Sequence, residues 1–114
     1  GGMVLLPKLL RSDQLRKLTY TADAIGASAA QAIGLVTDLA EDPEAAALSL
    51  AEKIAGKSPS AMRAAKRLIA VAESGAAQGD ILLEESREQA ALIGKPHQME
   101  VIAANMQKRA PRFD

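Results

Sequence analysis

Signals that start and stop α-helices recur along this chain at short intervals, and they limit what it can fold into more than any other feature. Asp42-Pro43-Glu44 sets a capping side chain ahead of a proline and an acid. Proline is well tolerated at a first helical position, where its missing N–H would be unpaired anyway. Ser58-Pro59 repeats that start, and Gly34, Gly56, Gly75 and Gly94 fall where helical stretches can close. Between these marks apolar residues return at helical spacing. One stripe is Ala47, Leu50, Ala51 and Ile54; the next is Ala61, Ala65, Leu68 and Ala72, with Arg63, Lys66 and Arg67 largely off it. Asp80 offers a cap to a third stretch carrying Leu82, Ser86, Ala90 and Ile93. Pro96 starts a fourth, where Met99, Ile102, Ala103 and Met106 form the expected buried stripe and Pro111 blocks continuation.

The first third reads as shorter pieces. Residues 3–10 are apolar around Pro7, and Ser12-Asp13 can cap residues 15–21, which gives two short helices. A turn follows, then a brief alanine-rich helix that Ser28 can cap and Gly34 ends. Leu35-Val36-Thr37-Asp38-Leu39 is the one strand-like stretch, too short and solitary to build a sheet. The expectation is a mainly α chain of five to six helices with at most one short strand.

The side chains available to fill a core are small. Hydrophobic residues make up 48%, yet alanine supplies much of that, and the only aromatics are Tyr20 and Phe113. Such helices bury little on their own, so surfaces of a partner are expected to complete the burial. Charge narrows the function further. Fourteen basic and fourteen acidic residues cancel, which removes the footprint of a general nucleic-acid binder or a polybasic membrane protein. The apolar runs fall far short of the roughly 20 residues that span a bilayer, so no membrane insertion is expected. With no cysteine, disulfides and thiolate metal sites are excluded, and a cytoplasmic protein is the natural reading. The Gly1-Gly2 start fits a tag remnant or an internal cut equally well.

Few residues invite chemistry. Asp42 and Glu44 are explained by a helix start, and Glu84, Glu85 and Glu88 read as a solvated face beside Arg87. His97, the one histidine, is expected to be exposed, and alone it makes no metal site. Met62, Met99 and Met106 read as core filler or interface. Lys108, Arg109 and Arg112 are the one cluster where binding competes with the plain reading of cations placed near a helix C-terminus.

Residues 25–36, IGASAAQAIGLV, resemble a segment of the enoyl-CoA hydratase/isomerase (crotonase) family, in which a short helix ending in Ala (here Ala30) precedes Gly-Leu-Val (here Gly34-Leu35-Val36). The likeness continues through Ala51-Glu52-Lys53-Ile54-Ala55, Ser58-Pro59-Ser60-Ala61 and Ala64-Ala65-Lys66-Arg67 to Gln107-Lys108-Arg109-Ala110-Pro111-Arg112-Phe113. Gly1-Gly2 and Leu6-Pro7-Lys8-Leu9 resemble the family's Gly-Gly and Leu-Pro-Arg-Leu block, so the match runs the whole chain in order.

The resemblance implies the C-terminal helical region of a crotonase-like spiral fold. Residues 1–36 would be the end of the core with the first capping helices, and 37–114 an oligomerisation and capping region. It implies an acyl-CoA thioester as substrate, no permanently bound cofactor, and a homo-oligomer, a trimer or a dimer of trimers. The family's oxyanion hole and acids would lie upstream, so no catalytic residue is carried onto this chain, which by itself is expected to be inactive. Lys108 matches a family lysine that reaches the nucleotide end of coenzyme A, and Arg109 beside it is a second candidate. An aromatic that some members place near residues 87–91 is absent here. The alternative is a noncatalytic helical module for oligomerisation or partner binding.

Overall fold

A computed structural model describes residues 2–113; Gly1 of the glycine pair lies outside them. Among the described residues there are seven helices and no strand: α1 Gly2–Leu9, α2 Ser12–Thr21, α3 Ala27–Ala32, α4 Pro43–Ala55, α5 Pro59–Glu73, α6 Gln78–Leu92 and α7 Pro96–Met106. The mainly α expectation holds, with one helix more than foreseen. The chain divides into two compact units, Gly1–Ala46 and Ala47–Asp114, with α4 running across the division.

In the first unit α1 packs on α2, and Leu10 at the end of α1 is buried. The expected Ser12-Asp13 cap does not form. Arg11 is the N-cap, without a side-chain cap bond, and Asp13 is drawn instead into a bidentate pair with the Arg11 guanidinium at 3.1 and 2.7 Å. Ser28 likewise lies inside α3, whose N-cap is Gly26. Gly34 does end this helix, at φ +81°, and an added Cβ there would stand 3.6 Å from the Leu9 carbonyl oxygen. The Leu35 N–H returns to the Ala30 carbonyl (2.9 Å) and Gln31 Nε2 donates to the Thr37 carbonyl (3.2 Å). The strand-like stretch therefore stays irregular: its backbone groups turn back to α3, with no strand among the described residues to pair with.

The proline starts at Pro43, in the first unit, and at Pro59, in the second, behave as read. Ser58 accepts from the Ala61 N–H, as Asp42 does from the Ala45 N–H at the head of α4. Helices α5 and α6 pack together, but on faces rotated from the expected stripes. On α5 the buried residue is Ala64, flanked by half-buried Ala61, Leu68 and Val71, while Ala65 and Ala72 are exposed. On α6 the less exposed positions are Ile81, Glu84, Glu88 and Leu92, whereas Leu82 and Ile93 face out. Ala104 is the buried residue of α7; of the expected stripe, Met99, Ile102 and Met106 are exposed and Ala103 is half-buried.

The described core consists of Leu10, Ala30, Ala64 and Ala104, three of them alanines. The chain exposes 8976 Å², where a folded monomer of 11.9 kDa typically exposes about 6,000 Å². The difference is apolar in good part, because eighteen large hydrophobic side chains are exposed, among them all three of Leu48, Leu50 and Ile54 on α4.

Candidate functional site

Glu100, His97, Arg109 and Phe113 gather where the C-terminal segment folds back on α7. The helix ends in a turn normally closed by glycine. Gln107 is the C-cap, the Lys108 N–H donates to the Asn105 carbonyl (3.2 Å), and the Arg109 N–H reaches the Ala104 carbonyl (3.0 Å). Lys108 supplies the left-handed residue at φ +51°, a conformation that costs a non-glycine residue roughly 1–2 kcal/mol.

Glu100, one helical turn into α7, holds that reversal. Its Oε1 accepts from Arg109 NH1 at 2.5 Å and from the Arg112 backbone N–H at 2.7 Å, and its Oε2 accepts from Arg109 NH2 at 3.2 Å. The Arg109 Nε donates to Gln107 Oε1 and NH1 also to the Ala110 carbonyl. The Arg109 side-chain bonds, chiefly, with the Arg112 N–H next, hold the Glu100 carboxyl well below the usual carboxylate range, at about 2. The Arg109 guanidinium is therefore engaged within the chain. Lys108, by contrast, is exposed, and its ammonium has no ion-pair partner among the described residues.

A second anchor lies beside the first. Phe113 meets His97 edge-on, with ring centroids 5.4 Å apart and planes at 75°, and His97 Nδ1 lies 3.0 Å from Ser60 Oγ at the start of α5. Ser60 in turn is 3.2 Å from the capping Ser58. The expectation of an exposed His97 is thus corrected: the ring is half-buried because Phe113 covers it and Ser60 satisfies one nitrogen. An open groove alongside is lined by Pro96, His97, Met99, Glu100, Ala103 and Arg112.

Lys108, Arg109 and Arg112 share the C-terminal segment, where the Arg109 side chain and the Arg112 backbone N–H turn onto Glu100 and Lys108 is left exposed. Sequence reasoning missed Glu100. The signal was a carboxylate nine residues before Arg109, a separation that matters only once the chain reverses after α7. On the acidic face of α6, Glu84 pairs with exposed Arg87 as that reading allows, but Glu88 needs correction, because Arg67 of α5 clasps it and its side chain is only 15% exposed. No group of three or more His, Asp or Glu side chains able to hold a metal occurs among the described residues. No described helix is long and apolar enough to cross a membrane.

Helices that leave most of their large apolar side chains uncovered define one class, helical segments that need a further apolar surface to cover them. Solved structures say which fold they come from. Over 98% of its length the chain is similar to enoyl-CoA hydratase EchA1 from Mycobacterium marinum, at 32% identity and a TM-score of 0.84, covering 45% of that chain. It is similar over its whole length to an enoyl-CoA hydratase from Mycobacterium tuberculosis H37Rv (30% identity, TM-score 0.87, 46% of that chain) and to DspI of Pseudomonas aeruginosa (30%, 0.87, 44%). No family model matches the sequence, and no curated protein is a match. The chain is a helical segment of the enoyl-CoA hydratase (crotonase) family, spanning less than half the length of the solved proteins it resembles.

Proposed function

We propose that these residues form the C-terminal helical part of an acyl-CoA-processing enzyme of the hydratase/isomerase group, acting in the cytoplasm. In this reading they cap the acyl-CoA site and join subunits of a homo-oligomer, while the oxyanion donors and acids belong to the part of the enzyme preceding them. The observation that carries the reading is the likeness to enoyl-CoA hydratases over the full chain. Support comes from the exposed apolar faces of α4, α6 and α7, which need a covering surface, and from the free ammonium of Lys108. Lys108 is assigned to the nucleotide phosphates of coenzyme A. Arg109, the other candidate, is given the place of a buttress through its bonds to Glu100.

The test compares the parent enzyme with the 114-residue chain on crotonyl-CoA. Enolate-like transition states depend on oriented donors that are usually the largest catalytic term, so the parent is expected to turn over and the chain alone is not. Turnover by the purified chain, clear of full-length enzyme, overturns the division of labour. A parent lacking any crotonase-like part would favour the noncatalytic helical module instead.

A further inference from the structure

We infer that Glu100 is a positioning residue for coenzyme A recognition: it fixes the C-terminal reversal and so aims Lys108 outward from a backbone conformation that lysine does not adopt by preference. The inference rests on the assignment of Lys108 to the nucleotide phosphates. Three independent bonds converge on the one carboxylate, two from the Arg109 guanidinium and one from the Arg112 N–H. They hold the chain on the C-terminal side of Lys108, and the Lys108 and Arg109 amide bonds back to α7 flank the residue directly.

A left-handed lysine between these restraints has a physical consequence. Its Cα–Cβ direction is set by φ +51° and not by a continuing helix, so the four-carbon stem leaves the chain where α7 has already ended. Backbone strain at a non-glycine residue persists only where its surroundings over-determine it. Here the surroundings are the amide bonds back to α7 together with Glu100 and its partners. The aromatic anchor of Phe113 on His97 holds the end of the same segment, so loss of Glu100 should loosen residues 108–112 without detaching the chain terminus. A phosphate contact made by a loosened lysine costs more ordering on binding, and that cost appears in affinity, not in the chemical step.

The test uses the parent enzyme, with Lys108→Ala, Glu100→Gln, their double variant and Glu100→Asp, each assayed with a coenzyme A thioester and with the matching pantetheine thioester, which lacks the nucleotide. The expected result is a KM raised roughly three- to tenfold by Lys108→Ala and about two- to fivefold by Glu100→Gln. Both defects should be confined to the coenzyme A substrate, with kcat little changed, the double variant no worse than Lys108→Ala, and partial recovery in Glu100→Asp. If Lys108→Ala gives the defect and Glu100→Gln does not, the positioning inference is overturned while the Lys108 assignment stands. If Lys108→Ala gives none, both fall. An equal loss with both thioesters in Glu100→Gln also overturns the inference, since it marks a general structural role. Should Glu100→Gln fail to fold, Arg109→Gln breaks the same pairing from the other side and is read in the same way.

Discussion

Glu88 on α6 accepts from both Nε and NH2 of Arg67 on α5, at 2.5 and 2.7 Å, across 21 residues of sequence. A planar guanidinium meeting a carboxylate through two parallel bonds fixes the relative rotation of two helices more narrowly than apolar contact between alanines can. With Ala64 the one buried residue of α5, the pair helps decide which faces of α5 and α6 meet.

Arg67 is 59% exposed, so solvent screening keeps the contribution of the pair small. Arg67→Ala and Glu88→Ala are each expected to lower Tm by no more than about 4 °C, with the double variant close to either single one. Repeating the melts in 1 M salt should shrink the coupling. Strict additivity at low salt would show that the two side chains do not interact in solution.

Much of this fold could be read beforehand, and the errors fall where a residue's role depends on its neighbours. Proline and glycine act through their own backbones, so Pro43, Pro59, Gly34 and Gly94 announced helix boundaries that the structure keeps. Ser12, Ser28 and Asp80 act through side-chain bonds that compete with alternatives: Asp13 went to Arg11, and helices α3 and α6 begin at Gly26 and Ala77 caps. On α5 stripe assignment failed because alanine is nearly indifferent to burial, so a stripe through Ala65 and one through Ala64 look alike, whereas on α6 and α7 large apolar residues of the expected stripes face out. The site was half legible, since Lys108 and Arg109 stand in a motif, whereas Glu100 and Ser60 acquire meaning only from reversals in space.

That indifference can be measured. Ala64 is 2% exposed, and Ala64→Leu inserts a side chain where no space exists, for an expected loss of about 1–3 kcal/mol. Ala65→Leu, one residue on and exposed, should change stability by no more than about 0.5 kcal/mol. Urea denaturation of the two variants separates the stripes, and equal effects would mean that α5 packs on another face.

The Glu100 carboxyl provides a pH signature. Its pKa falls from an ordinary 4.5 to about 2 in the folded chain, so its contribution to stability is fully present above pH 4.5 and is lost as the pH falls toward 2. Glu88 and Asp13 are shifted in the same direction by their arginines, so total acid sensitivity does not isolate Glu100. The difference between the wild-type chain and Glu100→Gln does. That difference should be constant from pH 7 to about 5 and shrink below it. Carbon-13 NMR should place the carboxyl midpoint near 2; a midpoint above 4 would mean that the reversal after α7 is not held by this residue.

Ile102 carries the last prediction, because its two contexts call for effects of very different size. It is 46% exposed on α7, between Met99 at 53% and Met106 at 80%, so in the isolated chain this stripe faces water. Ile102→Glu should then leave the thermal stability of the chain within about 0.5 kcal/mol and reduce its self-association. In the parent enzyme the same stripe is proposed to meet another surface. There the substitution forfeits roughly 1.5–3 kcal/mol of apolar transfer per copy and adds an unpaired buried charge, so assembly should fail. Sedimentation velocity on both forms reads the contrast. A parent that assembles normally with Ile102→Glu would show that α7 faces water there as well, and the covering surface would then have to be sought on α4 or α6.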